Sequence, residues 1–326
     1  MNDKPLVLMT HDIPGDWIAG RLDDYRVIIG EKETRGIDKK LAPFLNQASA
    51  IFCLLDDPIP AEIILKAENL KVISNMAVGV DNIDLPTCTS HGIPVGHTPG
   101  VLTEGTADLT LALVLAVCRG INQASQDARE GRWANWDPTG WLGVDLKGAT
   151  VGIVGLGKIG SAVARRLGAF GSRLIFYNRS QRPDEEKDLG AIQVSLDELL
   201  RTSDIVCLHV PLTPETRNLI DMSALKKMKQ TAVLINAARG AVVDHQALLS
   251  ALESGQIRAA GLDVTDPEPL PQDHPLYQLD NCLITPHIGS ATFNTRKTMA
   301  EIAISNLRAG IEGDKLPHCV NPEVYS

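Results

Sequence analysis

The sequence predicts an α/β protein built on parallel sheets with crossover helices. Short runs rich in β-branched residues alternate with longer helical patterns from one end of the chain to the other, the arrangement that joins parallel strands through helices. The length of 326 residues fits about two domains of the usual size. A single long apolar helix interrupts the alternation once, which places a seam between two series of strands.

In the first series, strands are expected at Leu6–Met9, Arg26–Ile29, Ala50–Leu54, Lys71–Asn75 and Pro94–Gly96, with helical patterns such as Pro60–Ala67 between them. From Thr106 the long helix, Ala107 to about Glu130, breaks the rhythm. The second series gives Thr150–Val154, Arg173–Asn178, Ile205–His209, Ala232–Asn236, Ala259–Val264 and Cys282–Thr285. Six strands with intervening helices predict a doubly wound sheet. The last stretch, Asn294–Glu312, reads as one amphipathic helix closed by Gly310 and Gly313; too short to be a domain, it must dock onto something already built. No internal repeat and no low-complexity segment is present.

Composition excludes several classes of function. With 44% hydrophobic and 22% charged residues the chain is an ordinary globular protein, neither disordered nor fibrous. A formal net charge of -9 gives no overall pull toward nucleic acid or anionic membranes. The longest apolar run, Leu109–Cys118 broken only by Thr110, is far below the roughly 20 residues of a membrane helix. The start, Met1-Asn2-Asp3-Lys4-Pro5, lacks the charged, apolar and small-residue order of an export signal. Six scattered cysteines without a Cys-x-x-Cys pair fit a reducing cytoplasm better than a disulfide scaffold or a zinc site.

The strongest local motif is Gly155-Leu156-Gly157-Lys158-Ile159-Gly160, which follows an apolar strand and opens the helix Ile159–Phe170. The first glycine permits the tight turn, the second lets backbone approach a pyrophosphate, and the third lets helix pack on strand while the helix N-terminus faces the anion. This predicts a Rossmann-type dinucleotide site. The next strand ends at Tyr177-Asn178-Arg179-Ser180, without the Asp or Glu that holds a ribose 2′-hydroxyl in NAD enzymes. Arg179 offers a fork of donors and Ser180 a hydroxyl suited to a 2′-phosphate, and Arg182 adds a second charge. The expected cofactor is therefore NADP(H), with NAD(H) as the alternative; a plain reading makes these solvated arginines of a polar turn.

Three further residues stand at the ends of successive strands, where ligands of open α/β sheets bind: Arg239 in Asn236-Ala237-Ala238-Arg239-Gly240, Glu268 in Asp263-Val264-Thr265-Asp266-Pro267-Glu268-Pro269, and His287 in Thr285-Pro286-His287-Ile288-Gly289. Taken singly, an Arg before Gly is more often a turn residue and a His after Pro more often satisfied by backbone. Together these strings resemble the D-isomer-specific 2-hydroxyacid dehydrogenase family, from about Asn75 to Gly313. The resemblance is nearest to glyoxylate and hydroxypyruvate reductases, through Gly261-Leu262-Asp263-Val264-Thr265, Pro267-Glu268-Pro269-Leu270-Pro271 and His287-Ile288-Gly289-Ser290-Ala291-Thr292.

The resemblance implies that Arg239, Glu268 and His287 are the catalytic residues. The chemistry agrees: reducing a 2-oxo acid takes a hydride at the carbonyl carbon, a proton at its oxygen and a cation for the carboxylate. Arg239 can grip the carboxylate and carbonyl oxygens, His287 can deliver the proton, and Glu268 can stabilise the imidazolium. The resemblance also implies substrate contacts from backbone amides around Val78 and Gly79. Cofactor contacts are implied at Thr106, Pro211, Thr216, Gly289, Asp263 on the nicotinamide carboxamide and the Ala237 carbonyl. The plain alternative for Asp263 is a helix cap, and the Val78–Val80 loop could equally be only a strand-to-helix turn.

Aromatic residues are only 4% of the chain, yet Trp133, Trp136 and Trp141 crowd together after the long helix. They are either anchors of an irregular loop or a dimer arm, since Trp is enriched at interface hot spots. The resemblance implies a homodimer built here, and Trp141 is further expected to reach the neighbouring subunit's substrate pocket and limit side-chain size. It also implies a Rossmann-type cofactor domain, 104–287, inserted into a smaller flavodoxin-like substrate domain, 1–103 with 288–326. The expected reaction is NADPH-dependent reduction of glyoxylate or hydroxypyruvate to glycolate or D-glycerate. Rivals within the family are D-3-phosphoglycerate, D-lactate-type and phosphite dehydrogenases; formate dehydrogenases carry Gln where this chain has Glu268. Outside catalysis, the alternative is a corepressor-like protein that senses NAD(P).

Overall fold

The computed structural model describes residues 4–18 and 20–326. Met1–Asp3, part of the stretch read against an export signal, lie outside them. The chain divides into two compact units, residues 1–102 with 292–326, and residues 103–291.

The first unit is a parallel five-stranded sheet, β1 (Leu6–Met9), β2 (Arg26–Ile29), β3 (Ala48–Cys53), β4 (Val72–Asn75) and β5 (Val95–Gly96), in the order β2-β1-β3-β4-β5. That order is flavodoxin-like. All four residues of β1 are buried. Leu6 and Leu8 join one core with Leu41, Ile51 and Ile73, while Val7 and Met9 join the other with Phe52 and Val72. A strand covered on both faces has to be apolar throughout, which is why it reads as an unbroken run. The closing helix, Phe293–Glu312, starts at Thr292, whose hydroxyl accepts from the Thr295 amide at 3.1 Å. Its Met299, Ala303, Leu307 and Ile311, spaced at one face of the helix, lie in the core beside Val7 and Phe52. The docking surface expected for this helix is thus the sheet of its own unit.

The second unit is a seven-stranded parallel sheet: β6 (Thr150–Val154), β7 (Arg173–Tyr177), β8 (Ile192–Gln193), β9 (Ile205–Leu208), β10 (Val233–Asn236), β11 (Ala259–Leu262) and β12 (Cys282–Ile284). Its order is β12-β11-β10-β9-β6-β7-β8, a Rossmann-type winding. The chain leaves β6 toward one edge through β7 and β8, then returns to the other side of β6 with β9. The switch point lies between β6 and β9.

Two elements differ from expectation. The sheet has seven strands where six were expected, because β8 is a two-residue edge strand with Ile192 exposed and too short to form an apolar run. The long helix is two, Thr103–Cys118 and Ile121–Arg129, because Gly120 between them adopts φ 59 in the left-handed region and ends the first. The first of these places Ala107, Leu113, Val114 and Cys118 in one core with Ala162, Val163 and Leu167 of the helix Lys158–Ala169.

All six cysteines are free, five of them buried. Among the described residues no helix is long and apolar enough to cross a membrane, and no group of His, Cys, Asp or Glu is arranged to hold a metal ion.

Candidate active site

The glycine motif forms the turn between β6 and the helix Lys158–Ala169. Gly155 has φ 98, and a Cβ there would come 2.7 Å from the His209 carbonyl oxygen at the end of β9. A Cβ on Gly160 would overlap the Gly155 carbonyl, so the helix sits on its own turn at a distance only glycine allows. Gly157 faces open space, with nothing within 4 Å of where its Cβ would be. As N-cap of the helix it gives no side-chain cap, which leaves the first-turn amides and the positive end of the helix dipole to an anion. The cradle, placed beside the switch point, fits a dinucleotide diphosphate.

At the end of β7, the Asn178 side-chain amide donates to the Ser180 carbonyl at 3.0 Å and lies 3.2 Å from its hydroxyl. Gln193 on β8 donates to the Asn178 carbonyl at 2.9 Å, so the unexpected edge strand supports this turn. Arg179 is exposed; its charge is one of the influences that lower the Glu215 carboxyl, after the hydrogen bond from Thr213. That coupling brings the Arg179 turn near the Pro211–Thr216 loop. Thr216 spends its hydroxyl on that loop, donating to the Pro211 carbonyl at 2.6 Å. Arg182 pairs with Glu185 at 3.6 Å while its Nε is buried without a hydrogen-bond partner among the described residues.

The strand ends on the other side of β6 bring the three predicted catalytic residues together. After β10, buried Asn236 accepts from the Ala238 amide at 3.1 Å and donates to the Arg239 carbonyl at 2.9 Å, shaping a tight turn around Ala237. The Arg239 guanidinium donates to the Ala238 carbonyl at 2.8 Å. A Cβ on the next residue, Gly240, would overlap the Thr265 carbonyl, so this turn lies against the loop that carries Glu268. In that loop the Thr265 amide donates to Glu268 Oε2 at 3.2 Å and the Thr265 hydroxyl to the Pro267 carbonyl at 2.9 Å. Glu268 Oε1 lies 2.6 Å from His287 Nδ1. Burial would raise the Glu268 carboxyl, but the hydrogen bond and charge of His287, the Thr265 amide and the Arg239 charge together hold it below its ordinary value. An ionised Glu268 fixes the proton on Nδ1 and leaves Nε2 to a substrate.

Asp263, at the end of β11, is 2% exposed. Its Oδ1 accepts from the Thr285 hydroxyl at 2.6 Å and the Ile288 amide at 2.8 Å, and its Oδ2 from the Gly289 amide at 2.8 Å. A Cβ on Gly289 would stand 3.2 Å from Asp263 Oδ2 and 3.3 Å from the Thr106 methyl. Thr106, Asp263 and Gly289, three of the cofactor contacts expected from resemblance, therefore form one cluster. The bonds from Asp263 also hold residues 288 and 289 with the unit 103–291.

Val78 and Gly79 belong to the other unit, in the loop after β4. Buried Asn75 donates to the Gly79 carbonyl at 2.9 Å, and the Thr98 amide to the Ala77 carbonyl at 2.8 Å. Among the described residues the Val78 and Gly79 amides donate to no backbone carbonyl. Trp141, at φ 50, donates from its indole to Asp127 at 2.7 Å, and Asp127 also accepts from Arg132 and Gln123. Trp133 and Trp136 are 64% and 81% exposed.

Sequence reasoning missed Thr285, Gln193 and His209. The first two act through side chain to backbone or second-partner bonds that have no spacing signature. His209 follows β9 at the switch point, both ring nitrogens buried without a partner among the described residues, and burial pushes its pKa down to about 4.

The chain is similar to several known proteins along most of its length. Residues 111–289 match the profile of the D-isomer specific 2-hydroxyacid dehydrogenase NAD binding domain. A glyoxylate reductase of Korarchaeum cryptofilum is 44% identical over 322 residues, 98% of this chain and 97% of that protein. The crystal structure of the TT0316 protein from Thermus thermophilus superposes with a TM-score of 0.89 at 47% identity, covering 97% of this chain and 99% of that one. An NADPH-dependent glyoxylate/hydroxypyruvate reductase from Sinorhizobium meliloti, solved with NADP and malonate, gives a TM-score of 0.86 at 32% identity over 98% of each chain.

Proposed function

The chain belongs to the D-isomer-specific 2-hydroxyacid dehydrogenase family, and on that premise we propose that it reduces glyoxylate or hydroxypyruvate with NADPH, giving glycolate or D-glycerate. The observation that carries this reading is the 2.6 Å contact of His287 Nδ1 with Glu268 Oε1 in a loop that lies against the Arg239 turn. When bound, the reduced nicotinamide supplies a hydride, and with it two electrons, to the carbonyl carbon. His287 supplies the proton: Nε2–H donates to the carbonyl oxygen as that oxygen gains charge, and the ring is left neutral. Glu268, ionised and in contact with Nδ1, stabilises the imidazolium before transfer and fixes which nitrogen faces the substrate. Arg239 holds the substrate carboxylate and draws charge from the carbonyl oxygen. Within its own unit, the Val78–Gly79 loop offers two amides of the kind a carboxylate takes.

The preference for NADPH rests on the turn after β7, where Asn178, Arg179 and Ser180 stand in place of an acidic residue and Arg182 follows. The relative from Sinorhizobium meliloti, named as NADPH-dependent, supports the same choice. We place a homodimer interface on the helix Ile121–Arg129 and the loop after it, where Ile121, Trp133, Trp136, Trp141 and Leu142 are all exposed. The test is consumption of NADPH and NADH, in parallel, against glyoxylate, hydroxypyruvate and pyruvate, with phosphite oxidation followed through reduction of NADP+ and NAD+. The highest kcat/KM is expected for NADPH with glyoxylate or hydroxypyruvate. No turnover with any 2-oxo acid, together with tight dinucleotide binding, would favour the sensing alternative.

A further inference from the structure

We propose that His97 is a positioning residue for the substrate: by holding the Val78 carbonyl it aims the Gly79 amide outward, where it can meet a carboxylate. The inference rests on the reading of the Val78–Gly79 loop as a carboxylate cradle and adds a side chain that neither the sequence motifs nor the catalytic trio bring in.

A loop that offers amides to an anion has to dispose of its carbonyls, because each peptide unit carries both groups. In the loop after β4 four successive carbonyls are taken. Ala77 accepts from the Thr98 amide at 2.8 Å, Gly79 from the Asn75 side-chain amide at 2.9 Å and Val80 from the Ile83 amide at 3.0 Å. The Val78 carbonyl lies 3.0 Å from His97 Nδ1. A carbonyl only accepts, so Nδ1 carries a proton and donates it.

A trans peptide is planar, with its N–H antiparallel to its C=O. The Val78 carbonyl and the Gly79 amide belong to one such unit, and the Ala77 carbonyl and the Val78 amide to the unit before it. Fixing the Val78 carbonyl on His97 therefore sets the direction of the Gly79 N–H, as the Thr98 amide sets that of the Val78 N–H. Both holds come from the two residues that follow β5.

His97 is itself fixed. Its amide donates to the His318 carbonyl at 3.1 Å, and the buried Asn306 donates to its carbonyl at 3.0 Å while accepting from the His318 amide at 3.0 Å. On the other side of the loop, Asn82 accepts from the Asn75 side chain at 3.1 Å and donates to the Leu54 and Asp57 carbonyls at 3.0 and 2.9 Å. The loop is gripped from the segment after β3 and the segment after β5. The Gly79 amide, which donates to no backbone carbonyl among the described residues, is left pointing away from the carbonyl that His97 holds. Nδ1–H is present in the charged ring and in this neutral tautomer alike, so the hold does not depend on the charge of His97.

The test compares His97→Phe and His97→Asn in the full-length chain. Phe keeps a ring and removes the donor; Asn places an amide N–H at the same distance from the main chain and removes the ring. The readouts are kcat and KM for glyoxylate, the inhibition constant of oxamate, and the dissociation constant of NADPH by nicotinamide fluorescence. His97→Phe is expected to raise KM and the oxamate constant together by about 10-fold, the lower end of what a hydrogen bond to a charged group is worth. Turnover should change less than KM, because the carboxylate is held alike in the ground and transition states, and NADPH affinity should stay near wild type. His97→Asn should bring both constants back toward wild type. Loss of kcat with KM and the oxamate constant unmoved would reduce His97 to a structural part of the segment after β5. A His97→Asn chain as impaired as His97→Phe would show that the ring, and not the Nδ1 hydrogen bond, is what matters; either result overturns the proposal. Should His97→Phe fail to fold, His97→Ala makes the same deletion without the bulk and is read in the same way. A wild-type chain that turns over no 2-oxo acid and binds no oxamate defeats the functional reading and this inference with it, whereas an active wild type beside unaffected variants defeats this inference alone.

Discussion

Replacing Glu268 with Gln separates the charge of that residue from its shape. Gln keeps the size of Glu and an oxygen that accepts Nδ1–H, so the tautomer of His287 survives while its counter-charge is gone. The two side chains touch at 2.6 Å and are 22% and 30% exposed. Two unit charges with centres about 4 Å apart attract by about 4 kcal/mol at an effective dielectric of about 20, and by about 1 kcal/mol in bulk water. This partly exposed pair falls between these limits, so the imidazolium loses about 1 to 4 kcal/mol of stabilisation. The sign follows directly: removing the anion favours the neutral ring, so the alkaline limb of kcat/KM for glyoxylate reduction moves to lower pH. Glu268 is held below its ordinary carboxyl value, so it stays ionised throughout the range in which the alkaline limb is read. The assay is kcat/KM measured across the neutral and alkaline range, which reads the groups of the free enzyme. A limb that does not move would show that Glu268 supports the loop through Thr265 and does nothing to the proton on His287.

His287→Ala should lower turnover by at least about 10²-fold, the usual share of a general acid, while dinucleotide affinity measured by fluorescence stays near wild type; parallel losses would remove the proton-donor role. Arg179→Ala should weaken NADPH by about 10- to 100-fold, the worth of a charged hydrogen bond, and spare NADH; equal effects on both would place Arg179 outside the 2′-phosphate site. His209 carries a buried neutral ring with a pKa of about 4 against an ordinary 6.5. Because the unfolded chain takes up that proton first, stability should fall as pH drops from about 6.5 toward about 4, by up to roughly 3 kcal/mol. His209→Phe should therefore show a shallower loss of thermal midpoint with acid than wild type; superimposable slopes would show that the ring is solvated or paired in solution.

The strands were legible where burial leaves no choice of residue. Leu6–Met9 and Thr150–Val154 have the observed bounds because central parallel strands must be largely apolar on both faces. Ile192–Gln193 could not be read that way, since two residues on an edge make no pattern. The break at Gly120 was hidden for a different reason: the apolar periodicity on either side is compatible with one helix, and the positive φ that ends it is a backbone property.

The site divides along the same line. Arg239, Glu268 and His287 stand at strand ends, where a parallel sheet delivers its loops to one edge, but taken singly each reads as an ordinary turn residue, and only a resemblance carried by several separated strings picked them out as candidates. What makes them a site is carried mostly by backbone. The approach of Gly240 to the Thr265 carbonyl sets Arg239 against the Glu268 loop, and the amides of Ile288 and Gly289 bring the His287 turn onto Asp263. Amides are present at every residue except proline, so no spacing of letters reports which of them is used.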